Sequence, residues 1–295
     1  MAKVPNNMNS LGGEVLRTQD FMVSGESFVL CESEEFPGLL VTANLPGDLS
    51  AYYESESYLS HQARKISLLQ GLYRAARRWN IQGKIRRLAP HVPKGGSVLE
   101  LGCGTGDFLA AAKRRGWQTL GMEPHTGARK EAQLKGLQVV ERTGDIPKEA
   151  YDAIALWHVL EHIPDMEDTL RLLADRCKSD GRVFLAVPNH ASWDAGHYGS
   201  FWAGYDVPRH IWHFNPRSMA AVLNRTGFEI CETVPMRLDA YYVSWLSEKY
   251  KKRSLPMLRG LMAGWRSNRA AAVTGQYSSL LFVCRKTVPG VRGAE

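Results

Sequence analysis

An α/β fold, with a seven-stranded, mostly parallel sheet and helices on both faces, is what this sequence predicts. Three observations carry the prediction. From residue 96 onward, short apolar runs alternate with helix-patterned segments. The first run, SVLEL, passes through a glycine-rich loop, GCGTG, directly into a helical segment. Two long insertions, residues 189–214 and 237–277, interrupt the alternation without cancelling it. Strand–helix–strand units of this kind cross over right-handed and set successive strands parallel.

Residues 1–60 form a weakly patterned N-terminal extension. Within it DFMVSGESFVLCE suggests a short hairpin strand, and PGLLVTANLPGDL reads as a turn-rich connection. Residues 61–95 are a helical lead-in: Ile66, Leu69, Tyr73, Ala76, Ile81, Ile85 and Leu88 recur at helical steps, and PHVPKGG ends them. The main domain spans 96–287, with a short tail at 288–295. Its order is SVLEL (strand), DFLAAAKRRG (helix, stopped by Gly116), TLGME (strand), ARKEAQLKG (helix), QVV and AIALW (strands), MEDTLRLLADRCKSDG (helix) and RVFLAVP (strand). NPRSMAAVLNRTGF is a further helix, with Asn215 as N-cap and Pro216 in the first position. FEICETV and SSLLFVCRK supply the last two strands.

With 295 residues, 44% hydrophobic and 23% charged, the chain can bury a full core. No run of eighteen apolar residues predicts a membrane span, and MAKVPNNMNSLGGEV has no signal-peptide core. Cys31, Cys103, Cys177, Cys231 and Cys284 stand singly, with no CxxC pair. That pattern argues against a disulfide framework or zinc ribbon and for a cytoplasmic location. The net charge of +7 permits anionic partners without demanding them.

The segment VLELGCGTGDF is the most informative. Glu100, Gly102, Gly104 and Gly106 occupy alternate positions where a strand becomes a helix. A dinucleotide loop has G-x-G-x-x-G, seating pyrophosphate on the helix N-terminus. Here the spacing is G-x-G-x-G, and the preceding carboxylate suits a cationic amino group and would repel pyrophosphate. Glu123 ends the next strand, where a carboxylate can accept both hydroxyls of a ribose. Asp145 and Ile146 follow the third strand, where an adenine edge would be read.

Taken together, ELGCGTG, GMEP, YDAIALWHVLEHI and the late GFE strand resemble the class I S-adenosylmethionine-dependent methyltransferases, in particular the small-molecule type related to ubiquinone-pathway O-methyltransferases. The resemblance covers residues 96–287. It implies a Rossmann-like sheet with a reversed final hairpin, and S-adenosylmethionine as cofactor. Gly102, Gly104 and Gly106 would lie under its methionine part, Glu100 near its amine, Glu123 on its ribose, and Asp145 and Ile146 beside its adenine. Cys103, Pro124 and Trp157 would complete the contacts. The implied activity is methyl transfer to a small-molecule, carrier-linked or lipid-linked acceptor. A tRNA or rRNA methyltransferase and a catalytically silent S-adenosylmethionine-binding scaffold are the alternatives. The strand end LWHV lacks the N-P-P-Y type of motif, and no RNA-binding module is visible. An NAD-dependent dehydrogenase is disfavoured by the loop spacing and Glu100.

His158, Glu161 and His162 of HVLEH fall at the carboxyl end of the fourth strand, where open α/β sheets bind ligands. Three readings fit: His158 as general base, a divalent site of His158, Glu161 and His162 aided by His210 or His213, or Glu161 and His162 capping a helical turn. No metal is expected as the first reading. The loop YDVPRHIWHF emerges at the same edge. Tyr205, Trp212 and Phe214 are expected as pocket wall or lid, Arg209 as partner of an anionic acceptor, and His210 or His213 as aids to proton removal; a buried turn pinned by hydrogen bonds fits as well. Tyr53, Tyr58 and His61 are candidates for a cofactor lid. In residues 249–269, Lys249, Lys251, Lys252, Arg253, Arg259, Arg266 and Arg269 interleave with large apolar side chains. Either this is a solvated helix packing its apolar side on the sheet, or it makes peripheral contact with a membrane.

Overall fold

The computed structural model describes residues 11–53 and 67–287. Three strands, β1 (Leu11–Gln19), β2 (Ser27–Ser33) and β3 (Leu40–Ala43), open it as an antiparallel meander. The helix α1 (Ser67–Leu88) leads into β4 (Ser97–Leu101), α2 (Asp107–Arg114), β5 (Gln118–Met122), α3 (Thr126–Leu134) and β6 (Gln138–Val140). Next come β7 (Tyr151–Trp157), α4 (Met166–Arg176) and β8 (Cys177–Pro188). The first insertion holds α5 (Trp193–Tyr198) and β9 (Trp212–His213). After α6 (Pro216–Arg225) and β10 (Phe228–Pro235), the second insertion forms the hairpin of α7 (Asp239–Tyr250) and α8 (Pro256–Thr274), and β11 (Ser279–Lys286) is the last element among the described residues.

The large sheet runs β6-β5-β4-β7-β8-β11-β10. β4 pairs in parallel with both β5 and β7, so strand order reverses there and opens a crevice at the carboxyl edge. β11 is antiparallel to both of its neighbours. The seven strands and the reversed hairpin agree with the sequence reading.

Alternation along the strands loads both faces. Leu99, Leu101, Ile154, Leu156, Val183 and Leu185 pack on one side with α4 and α6. Val98, Ala153, Ala155 and Phe184 pack on the other with α1 and α2. Asn215 caps α6, accepting from the Ser218 amide, with Pro216 in the first turn as expected.

Three expectations need correction. PGLLVTANL is not a bare connection: Leu40–Ala43 is a strand, because its outer edge finds β9, with Leu40 opposite His213 and Val41 opposite Trp212. The extension and the first insertion therefore share one four-stranded sheet, β1-β2-β3-β9. The α4 helix stops at Arg176, and CKSDG joins β8, where Lys178 ties to Asp152 at 2.8 Å. In the second insertion Leu255, Met257, Leu258, Leu261, Met262 and Trp265 are exposed and do not pack on the sheet.

Candidate active site

The loop after β4 is left-handed at Gly102, Gly104 and Gly106, with φ of +63°, +53° and +77°. These glycines serve different ends. A Cβ on Gly102 would stand 2.5 Å from Val159 Cγ2, and one on Gly106 2.4 Å from Leu137 Cδ1, so packing alone demands both. A Cβ on Gly104 would meet nothing within 4 Å: this glycine faces open space. Its N–H donates to Glu123 Oε2 at 2.8 Å, while the His125 N–H donates to Oε1 at 2.9 Å. Glu123 thus ties the loop to the end of β5 and keeps spare lone pairs on both oxygens.

Cys103 turns inward against Gly121, and burial pushes its thiol up to about 12. Its side chain packs; only its backbone lies in the loop. Pro124 is exposed, and its carbonyl accepts from Arg129. Asp145 closes a short turn by accepting from the Arg142 N–H at 3.1 Å, and Ile146 is buried in the core behind it.

Glu100 is 4% exposed, and its Oε2 has no hydrogen-bond partner. Burial raises its carboxyl to about 8, with Lys84 opposing and Glu123 and Asp107 reinforcing the shift. Lys84 Nζ stands 4.5 Å above the Trp157 ring, which packs edge-on against Phe108. Lys84 and Trp157 line a cleft of about 880 Å³ that runs on to Met236, Asp239 and Tyr241. A second hollow, of about 470 Å³, lies among Ser97, Gln118 and Gln138 at the amino ends of the strands, away from the switch point.

His158 follows β7 with φ +57°, and its N–H donates to the Ala186 carbonyl. Its ring lies between two carboxylates, with Nε2 3.1 Å from Asp239 and Nδ1 3.5 Å from Glu161. Burial alone would lower its pKa, but the hydrogen bond to Asp239 and the charges of both carboxylates raise it to about 10. The ring is therefore an imidazolium at neutral pH, and an imidazolium has no lone pair with which to act as base.

Glu161 is fully buried, and neither carboxylate oxygen has a hydrogen-bond partner within ordinary geometry. Burial opposes its ionisation, yet the His158 imidazolium beside it holds it below the usual range. His162 Nδ1 donates to the Arg209 carbonyl and His210 Nδ1 to the Gly204 carbonyl, both at 2.9 Å, which leaves each Nε2 as an acceptor. Burial and His210 push His162 down to about 4. Ligand atoms of Glu161, His162 and His210 all lie within 4.8 Å, a donor set suited to a divalent ion. His210, from the distant loop, thus takes the place that sequence spacing gave His158.

The remaining loop residues serve structure. Arg209 is 1% exposed, with Asp206 at 2.6 Å and Asp20 at 3.0 Å, so its guanidinium faces two carboxylates instead of an anionic acceptor. His213 Nε2 lies 2.9 Å from Thr42 Oγ1, and burial takes its pKa well below the ordinary value. Trp212 donates from Nε1 to the Ile163 carbonyl and is buried with Phe214 in the main core. Tyr205 packs edge-on against Trp202 and His213. Of the lid candidates, Tyr53 reaches His162 Nδ1 at 3.2 Å; Tyr58 and His61 lie outside the described residues. Sequence reasoning missed Asp239, Lys84 as a cleft residue, and Asp20. Only Lys84 left a trace, as a basic residue on the lead-in helix.

The strand order, the reversed final hairpin and the carboxylate-flanked glycine loop at the switch point define a class I S-adenosylmethionine-dependent methyltransferase. The chain belongs to the family described as "Methyltransferase domain", whose model matches residues 73–233. The ubiquinone biosynthesis O-methyltransferase of Sodalis glossinidius (strain morsitans) is 29% identical over 160 residues, which is 46% of this chain and 64% of that protein. The enzyme of the same description from Yersinia enterocolitica serotype O:8 is 30% identical over 144 residues, 40% of this chain and 60% of that protein. The chain thus spans less than two thirds of the length of these relatives. The magnesium protoporphyrin IX methyltransferase of Synechocystis PCC 6803, solved with bound SAH, shares the fold at a TM-score of 0.53 and 14% identity, over 80% of this chain and 97% of that one.

Proposed function

We propose that this chain transfers the methyl group of S-adenosylmethionine to a small-molecule, carrier-linked or lipid-linked acceptor. The observation that carries the reading is the buried, unpartnered Glu100 Oε2, within electrostatic reach of Lys84, which lines a cleft that extends to Asp239. An ammonium group is the natural partner of that oxygen, and the near end of the cleft, at Lys84 and Trp157, would take the methionyl part of the cofactor. The open side of Gly104 leaves room for the nucleoside, and the spare lone pairs of Glu123 accept from ribose hydroxyls.

S-adenosylmethionine supplies an electrophilic methyl group on sulfur. The protein's task is then alignment, because in-line displacement gains most from fixed geometry. In this reading Asp239 and Tyr241 orient the acceptor at the far end of the cleft, with Asp239 accepting from its hydroxyl or amine. His158 is a positioning residue that fixes the Asp239 carboxylate. His210 and His213, expected as proton acceptors, do not line the cleft. The test is methyl transfer from labelled S-adenosylmethionine into an extract of a strain lacking this protein, with the product identified by mass. Calorimetry should show one cofactor bound; a folded protein that binds none would overturn the reading. Asp239→Asn should lower kcat/KM for the acceptor while leaving cofactor affinity intact.

A further inference from the structure

The α7–α8 hairpin is built around a stripe of small residues. α8 buries Gly260, Ala263, Gly264, Ser267 and Ala271. A Cβ on Gly260 would stand 2.5 Å from Trp245 Cα, and one on Gly264 2.8 Å from Tyr241 Cα. With small residues facing α7, the large ones face solvent: Leu255, Met257, Leu258, Leu261, Met262 and Trp265 are 47–68% exposed. Nine of the twelve exposed large apolar residues among those described lie between 238 and 273. A contiguous patch of that kind on a soluble surface marks an interaction site.

The charges around it are of one sign. Residues 249–277 contain seven Lys and Arg and no Asp or Glu, as many positive charges as the formal +7 of the whole chain. At roughly 100° per residue, Met257, Leu258, Leu261 and Trp265 fall on one flank of the small-residue stripe, and Arg259 and Arg266 on the other. Met262 and Arg269 lie between the flanks, on the outermost line. Arg269 stacks on Trp265 at 5.5 Å and Lys249 on Trp245 at 5.1 Å, which holds cationic heads beside amphipathic rings.

We propose that this face docks on an anionic lipid bilayer, with its apolar flank in the boundary between headgroups and acyl chains and its Lys and Arg against lipid phosphates. Leu, Met and an outward Trp on a helix whose only charged residues are basic match the composition of that boundary. The contact is one-sided, since no described helix is long and apolar enough to cross a membrane. The cleft of the candidate site opens beside the same hairpin, through Arg237, Leu238 and Asn268, so docking brings its mouth to the lipid.

The test is sedimentation of the full chain with phosphatidylcholine vesicles, with and without phosphatidylglycerol, at low and high salt. Binding is expected on the phosphatidylglycerol vesicles, weakened by salt. Two double variants, Leu261→Glu with Trp265→Glu and Arg259→Glu with Arg266→Glu, should each bind about tenfold less or weaker. Their circular dichroism should match the wild type, because all four positions are exposed. Failure of the folded wild type to sediment with anionic vesicles at low salt would overturn the proposal. So would undiminished binding by both variants, or a wild-type dimer that the Leu261→Glu, Trp265→Glu variant converts to monomer, which would make the face a self-association surface.

Discussion

Glu100 sets a conflict between stability and binding. Its carboxyl, raised to about 8 by burial, is protonated at neutral pH in the cofactor-free protein and must ionise to pair with an ammonium group. Cofactor binding below pH 8 should therefore release a proton, and affinity should rise as pH approaches 8; calorimetry in buffers of different ionisation enthalpy measures both. Because the native pKa lies above the unfolded value, this group costs stability once pH exceeds about 4.3. Glu100→Gln should accordingly raise the Tm of the cofactor-free protein at pH 8 while weakening cofactor binding. His158 has the opposite sign. With a native pKa of about 10 against about 6.5 unfolded, its charge stabilises the fold fully below pH 6.5, and the benefit fades as pH climbs towards 10. The stability deficit of His158→Gln, followed by denaturant unfolding, should be largest at pH 6 and shrink at pH 9.5. Neither partner of His158 could be read jointly from sequence: Glu161 is three residues away, but Asp239 is 81.

At the scale of elements, the glycine loop separates packing from binding. Gly104→Ala places a methyl in open space at a left-handed residue, so it should cost about 1 kcal/mol of stability and at least tenfold in cofactor affinity. Gly102→Ala drives a methyl into the branched Val159 side chain and should cost about 1–3 kcal/mol in unfolding free energy. The seven strands of the large sheet were legible because each is a short apolar run flanked by helix or turn signals. β3 and β9 were not, because a four- or two-residue strand is defined by its neighbour, and here that neighbour lies far away in sequence. The α7–α8 hairpin misled for another reason. Apolar periodicity reveals an amphipathic helix, but it does not say that the small residues, and not the large ones, form the buried side.

Over the whole molecule, the Arg209–Asp20–Asp206 cluster joins the N-terminal sheet to the loop that carries His210. Arg209→Met leaves Asp20 buried without its counter-charge and should cost about 3–5 kcal/mol, read from chemical denaturation. Replacing Asp20 as well, by Leu, should recover part of that loss. The family was visible in a few contiguous motifs, and Glu100, Gly104 and Glu123, proposed to hold the cofactor, lie in the same motifs. The far end of the cleft, proposed for the acceptor, draws on Met236, Asp239 and Tyr241, which only the fold brings opposite Lys84 and Trp157.

The small sheet also has a consequence for synthesis. β3 cannot pair with β9 until residue 213 has left the ribosome, although Leu40 and Val41 were made about 170 residues earlier. At roughly 5–20 residues per second, that delay is on the order of ten seconds or more. Throughout it the nascent meander carries an unpaired β3 edge and an Asp20 still waiting for Arg209, so strands made early are among the last to reach their native partners.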